Sequence, residues 1–205
     1  MVDILLIIVI VVFAIVLHEV AHGYSAYLLG DPTAKNLGRL TLNPIKHIDP
    51  VGSIVVPGAL FLAHYFLRVP LMLFGWAKPV PVNFRNLRPQ RLGMAVVALA
   101  GPLTNIVQAF IFSRLYQWPS LSNSMEVWAW GVRINLMLAV FNMIPIPPLD
   151  GSRVVTSLLP VKLAYYYSRL ERYGIIILIV LLNLGVYKYL YPLMDQICNW
   201  FGVSI

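Results

Sequence analysis

A chain of 205 residues that is 60% hydrophobic and only 11% charged falls far below the roughly 25% charged residues of soluble domains. It reads as one integral membrane domain over 1–205, a bundle of a few helices with no room for a sizeable extramembrane domain. The formal net charge of +7 sits mostly in short loops between apolar segments, which makes it topology information and not a nucleic-acid surface. Cys198 is the only cysteine, excluding an internal disulfide and any Cys-ligated zinc site.

The first apolar segment runs from about residue 4 to 29 and is predicted to be a helix ending at Gly30-Asp31-Pro32. Asp3 stands where a signal peptide would carry basic residues, so the segment is read as retained. It contains His18-Glu19-Val20-Ala21-His22. Histidines four apart share one helix face and can both hold a zinc ion, with Glu19 about 100° round the helix, in reach of a water at that metal. Ionisable groups inside an apolar helix are costly, and such a cluster is functional by default.

A polar stretch follows over 31–50, in which 37–42 (Leu37 to Leu42) reads as a short strand. Residues 51–75 are apolar but broken by Gly52, Pro57, Arg68 and Pro70, and are expected to form a re-entrant or extra membrane segment. The alternate prolines of Pro79-Val80-Pro81-Val82-Asn83 fit a short extended edge segment. Three further apolar spans are expected at about 92–116, 127–144 and 173–193. If residues 51–75 dip in and return, four spans cross, and eleven of the fifteen Lys and Arg residues fall on one side. The positive-inside rule makes that side cytoplasmic and puts the N-terminus outside. The expected fold is thus an all-α, multi-pass cell-membrane protein.

A catalytic zinc takes three protein ligands, and the His pair supplies two. Only eight Asp and Glu occur. Asp31 lies nine residues beyond His22, about 13 Å along a helix, and most other acids sit at span ends or in loops. Asp150, just past the break at Pro145, Pro147 and Pro148, is the best third ligand, since the first and third crossings run in the same direction and bring it to the depth of the histidines. A helix-end cap is its bland alternative. Asp49, or His47 beside it, is the runner-up, and His64 reads as a packed or interfacial histidine. Asn105 and Asn142 could serve the site or simply bond neighbouring helices.

Together, His18-Glu19-Val20-Ala21-His22, Gly101-Pro102-Leu103-Thr104-Asn105 and the run Asn142 to Gly151 with its Leu149-Asp150-Gly151 resemble the site-2 protease family of membrane-embedded zinc metalloproteases. They cover its three-helix core, to which this chain would add a C-terminal helix. The stretches 38–44 and 75–83 look like the small bacterial and archaeal branch that lacks PDZ domains. The resemblance implies one zinc per chain held by His18, His22 and Asp150, with Glu19 activating water and Asn142 helping to hold substrate or oxyanion. It also implies hydrolysis of membrane-spanning or membrane-anchored protein substrates in the bilayer near its cytoplasmic side, as in regulated intramembrane proteolysis.

A substrate helix hides its carbonyls, so the extended segments could take an unwound substrate as an edge strand, through Leu40, Val80 and Val82. The alternative class is a metal or ion transporter, which also uses intramembrane His and Asp with broken helices. Transport gives no reason for Glu19 at that spacing, and the chain lacks a second symmetric half.

Overall fold

In a computed structural model the chain is described over residues 2–68, 75–120, 125–185 and 187–203. It is helical, with no strand among the described residues. In order come α1 (Val2–Leu28), α2 (Thr33–Asn36), a 3₁₀ turn (Pro44–His47), a π-helical turn (Pro50–Val55) and α3 (Val56–Leu67). Then follow α4 (Gln90–Tyr116), α5 (Met125–Asn142), α6 (Asp150–Leu158), α7 (Val161–Ser168), α8 (Gly174–Asn183) and α9 (Tyr187–Trp200).

Two helices, Ile4–Leu28 and Gln90–Tyr116, are long and apolar enough to cross a membrane. At about 1.5 Å per residue each outruns the roughly 30 Å hydrocarbon layer. Ile4, Leu5 and Ile8 of α1 point outward, as the lipid-facing side of such a helix should. α1, α4 and α5 pack mutually into the three-helix core. Small and branched residues close the contact between α4, α5 and α9, where Ala109, Val132, Leu136, Met194 and Cys198 are buried together.

The expected span at 173–193 is instead two helices. Gly185, at φ +82°, turns the chain in the left-handed region that glycine tolerates, so α8 stops after ten residues and α9 starts afresh. The pair still runs the length of the bundle. Gly174 abuts Pro147, where a Cβ would lie 2.2 Å from the Pro147 carbonyl oxygen. At the other end Phe201 O accepts from Ser113 Oγ, near the end of α4, at 2.7 Å.

The two expected strands are also corrected. Gly38 at φ +61° breaks 37–42 into turns behind α2. Residues 79–83 form no ladder, because their polar groups go to side chains. Val80 N donates to Glu19 Oε2 (2.7 Å), Asn83 N to Asp31 Oδ2 (2.7 Å), and the Lys78 and Pro79 carbonyls accept from Arg39 Nη2 (2.9 and 3.4 Å). Pro79 and Pro81 have no N–H to offer.

The apolar insertion leaves and rejoins the body at one place. Trp76 N donates to Gly52 O (3.1 Å), and Ser53 Oγ to Trp76 O (2.9 Å). Residues 69–74 of the expected re-entrant or extra membrane segment lie outside the described residues.

Asp31, just beyond α1, ties the 83–86 loop to the helix end. Its carboxylate is fully buried and accepts from Thr33 N (3.2 Å), Thr33 Oγ1 (2.5 Å), Asn83 N (2.7 Å) and Asn86 Nδ2 (2.8 Å). Burial alone would raise its pKa, but the hydrogen bonds from Thr33, Asn86 and Asn83 outweigh burial and hold the carboxyl below its ordinary 3.8. With the folded pKa below the unfolded one, the stabilisation is complete above about pH 4 and is lost as pH falls through the folded value. Asp31→Ala leaves the Asn83 N–H and the Asn86 amide unpaired and is expected to cost about 2–4 kcal/mol at pH 7. Thermal melting in detergent measures this. The deficit should shrink as pH falls below about 4 and through the folded pKa, and equal melting at pH 7 would exclude the role.

Candidate metal centre

The first apolar helix places His18 and His22 one turn apart on the face that meets α4, and both are buried. Their Nε2 atoms lie 3.0 Å from each other. Asp150 Oδ2 completes a triangle, 3.1 Å from His18 Nε2 and 3.2 Å from His22 Nε2. Asp150 gets there because the proline-broken stretch after α5 folds tightly, with Ile146 N on Ile144 O and Leu149 N on Ile146 O. α6 then begins at Asp150 itself. Gly151 is a packing requirement, since a Cβ there would sit 2.2 Å from Met143 O.

The imidazoles are held from behind. His18 Nδ1 donates to Asn105 Oδ1 (2.6 Å) and His22 Nδ1 to Val97 O (2.7 Å). With the protons on Nδ1, both Nε2 lone pairs face the centre. Asp150 Oδ2 is buried without a hydrogen-bond partner. Three lone pairs pressed together repel one another unless a cation lies between them. Ligands about 2.0–2.2 Å from a tetrahedral zinc stand roughly 3.3 Å apart, close to the spacing here. Two imidazoles and one carboxylate therefore fit a zinc ion. Gly101 leaves the room, because a Cβ there would lie 2.5 Å from His22 Nε2 and 2.6 Å from His18 Nε2.

Glu19, His18, His22, Asp150 and Asn142 line one cavity of about 770 Å³. Val80 and Val82 form part of its wall. Glu19 keeps its carboxylate on Val80 N (2.7 Å), and Arg39 clamps the two carbonyls just before that donor. Asn142 Nδ2 donates to Leu138 O (3.0 Å) within its own helix. Cavity and Glu19 thus share one wall.

Other expected residues go elsewhere. Asn105 is fully buried behind His18, so it acts on the histidine and not on anything in the cavity. Leu40 packs against Gly23 of α1. Asp49 caps the π-helical turn through Val51 N (3.0 Å) and Gly52 N (2.7 Å). His47 is buried with Nε2 on Thr41 O (2.9 Å), and His64 lies on exposed α3. None of these joins the triangle, and among the described residues no other cluster of three metal-ligating side chains occurs.

Three features escaped the sequence reading: the Val97 carbonyl, the space at Gly101, and Asn135, which accepts from Asn105 Nδ2 at 2.9 Å. Asn135 alone left a trace, as a polar residue in an apolar span.

Known proteins resemble this chain. The profile of peptidase family M50 matches residues 115–184, the part carrying Asp150. YwhC of Bacillus subtilis, assigned by name as a zinc metalloprotease, is 39% identical over 191 residues, 87% of this chain and 81% of that protein. Rip2 of Mycolicibacterium smegmatis, of like name, is 27% identical over 192 residues, covering 92% of this chain and 71% of its own. MJ0611 of Methanocaldococcus jannaschii, also so assigned, is 46% identical over 71 residues, 34% of this chain and 36% of that one. No solved structure matches.

Proposed function

The chain belongs to peptidase family M50, the site-2 proteases, and from that premise we propose that it is an intramembrane protease cutting membrane-spanning or membrane-anchored proteins. Metalloprotease activity and zinc come with the family. The residues that carry them here are our reading: His18, His22 and Asp150 as ligands, Glu19 as base. One observation carries it. Three metal-competent atoms meet within 3.0–3.2 Å, beside a glutamate on the same cavity, where two helices apolar enough to cross a membrane face each other.

A zinc ion at this site supplies Lewis-acid charge for water activation and for the developing oxyanion. Glu19 takes the proton of the attacking water on its carboxylate and hands it to the departing amine. Val80 N holds one carboxylate oxygen of Glu19, leaving the other for that traffic. Asn142, on the cavity wall, is the candidate to orient the scissile carbonyl. The extended wall at Val80 and Val82 is where an unwound substrate backbone would lie. The Val80 N–H is already given to Glu19, so recognition by that group would require an exchange.

The insertion from Gly52 to Trp76 is read as re-entrant, because its two ends are bonded to each other. The broken pair α8–α9 is read as the fourth crossing, since it joins Pro147 to the far end of α4. This topology keeps Asp150 on the side that collects the basic loops, the cytoplasmic side by the positive-inside rule.

The test is reconstitution in vesicles with a single-span reporter protein. Wild-type protein is expected to cleave it, removal of metal by a chelator to abolish cleavage, and added zinc to restore it. Cleavage that survives complete metal removal would end the proposal.

A further inference from the structure

We propose that Asn135 is a positioning residue that sets the tautomer of His18 through the side-chain amide of Asn105. This rests on the metal-centre reading above, and it concerns a group that touches neither metal nor substrate.

The two histidines are not held alike. His22 Nδ1 meets the Val97 carbonyl, an acceptor only, so its proton must sit on Nδ1 and its Nε2 lone pair must face the centre. His18 Nδ1 meets an amide, Asn105, and an amide has two faces. With Oδ1 towards His18, the ring carries its proton on Nδ1 and offers the Nε2 lone pair. Turned over, the NH₂ would donate to Nδ1, push the ring proton onto Nε2, and leave His18 unable to bind a cation.

Asn135, with the longer contact to the Ala14 carbonyl beside it, selects between these states. Its Nδ2 donates to Gly131 O at 2.9 Å, again an acceptor only, so its Oδ1 points at Asn105 and accepts from Asn105 Nδ2 at 2.9 Å. That presents Asn105 Oδ1 to His18. Ala14 O also accepts from Asn105 Nδ2, at a longer 3.2 Å. Both asparagines are 0% exposed, so no water can replace a lost partner. The order runs from the α5 backbone through Asn135 and Asn105 to the ring on α1. A buried asparagine pair thus transmits one carbonyl's polarity across three helices.

The experiment compares wild type, Asn135→Leu, Asn105→Asp and the double variant in detergent. Zinc affinity is measured by competition with a chelator, and the His18 ring nitrogens are read by ¹⁵N NMR in metal-free protein. Asn135→Leu is expected to weaken zinc binding about 10- to 100-fold and to give His18 a population without a proton on Nδ1. A carboxylate at position 105 has no donor to turn towards the ring. In the Asn105→Asp background, adding Asn135→Leu should therefore weaken zinc binding no further. A merely structural role predicts a lower melting temperature with zinc affinity and His18 tautomer unchanged, and that outcome overturns the proposal. Should Asn135→Leu fail to fold, the wild-type spectrum still decides, since a His18 ring without a proton on Nδ1 in the metal-free protein is incompatible with it. The NMR reading needs no catalysis, so a protein that proves inactive would refute the function and leave this test standing.

Discussion

Glu19→Gln is expected to lower reporter cleavage by about 10²- to 10⁴-fold, the usual worth of a positioned acid–base group, while the bound zinc stays the same. The amide has the size of the carboxylate, and its Oε1 can still accept the Val80 N–H now donated at 2.7 Å. The wall around the cavity therefore keeps its shape. What is lost is the ability to take a proton from water and return it to the leaving nitrogen. Initial rates in reconstituted vesicles, with zinc per chain measured on the same samples, separate the two. Cleavage within a few-fold of wild type would remove Glu19 as the base. Loss of zinc would recast it as a ligand or a support.

Much of the site is local, which is why it could be read. His18, Glu19 and His22 are fixed by helical periodicity alone, and apolar neighbours make two histidines and a glutamate conspicuous. Asp150 became legible because acids are scarce in this chain and because loop charges order the crossings. The family motifs then pointed to the same residues.

The features that were missed depend on what faces what. Residues 79–83 have the prolines of an extended edge, but which groups take up their backbone polarity depends on Glu19, Asp31 and Arg39, none of them nearby in sequence. Asn105 looked equally suited to the cavity or to a helix contact, and only the α1–α4 packing puts it behind His18. Gly101 would pass for a kink beside Pro102 without the imidazoles pressed against it. The break at Gly185 was hidden because Leu184 and its neighbours are as apolar as a continuous span, so hydropathy could not register a change of direction.

Asp150→Ala is expected to abolish activity by a different route. Removing one of three protein ligands costs more than the 10- to 100-fold that loss of an outer-shell partner typically costs, so zinc affinity should fall by more than about 100-fold. Two neutral imidazoles 3.0 Å apart remain, without the carboxylate charge that completes the set. Adding excess zinc should restore activity poorly, because the retained ligands cannot fix one geometry. This separates it from Glu19→Gln, where zinc is held and chemistry fails.

On this reading His18, His22 and Asp150 together hold one zinc ion. The most direct test is the zinc content and zinc-edge absorption of wild-type protein purified without chelator, set beside Asp150→Ala. One zinc per wild-type chain is expected, with only nitrogen and oxygen neighbours at about 2.0–2.2 Å, and a largely empty Asp150→Ala. Sulfur among the neighbours, or the same zinc content in both proteins, would contradict it.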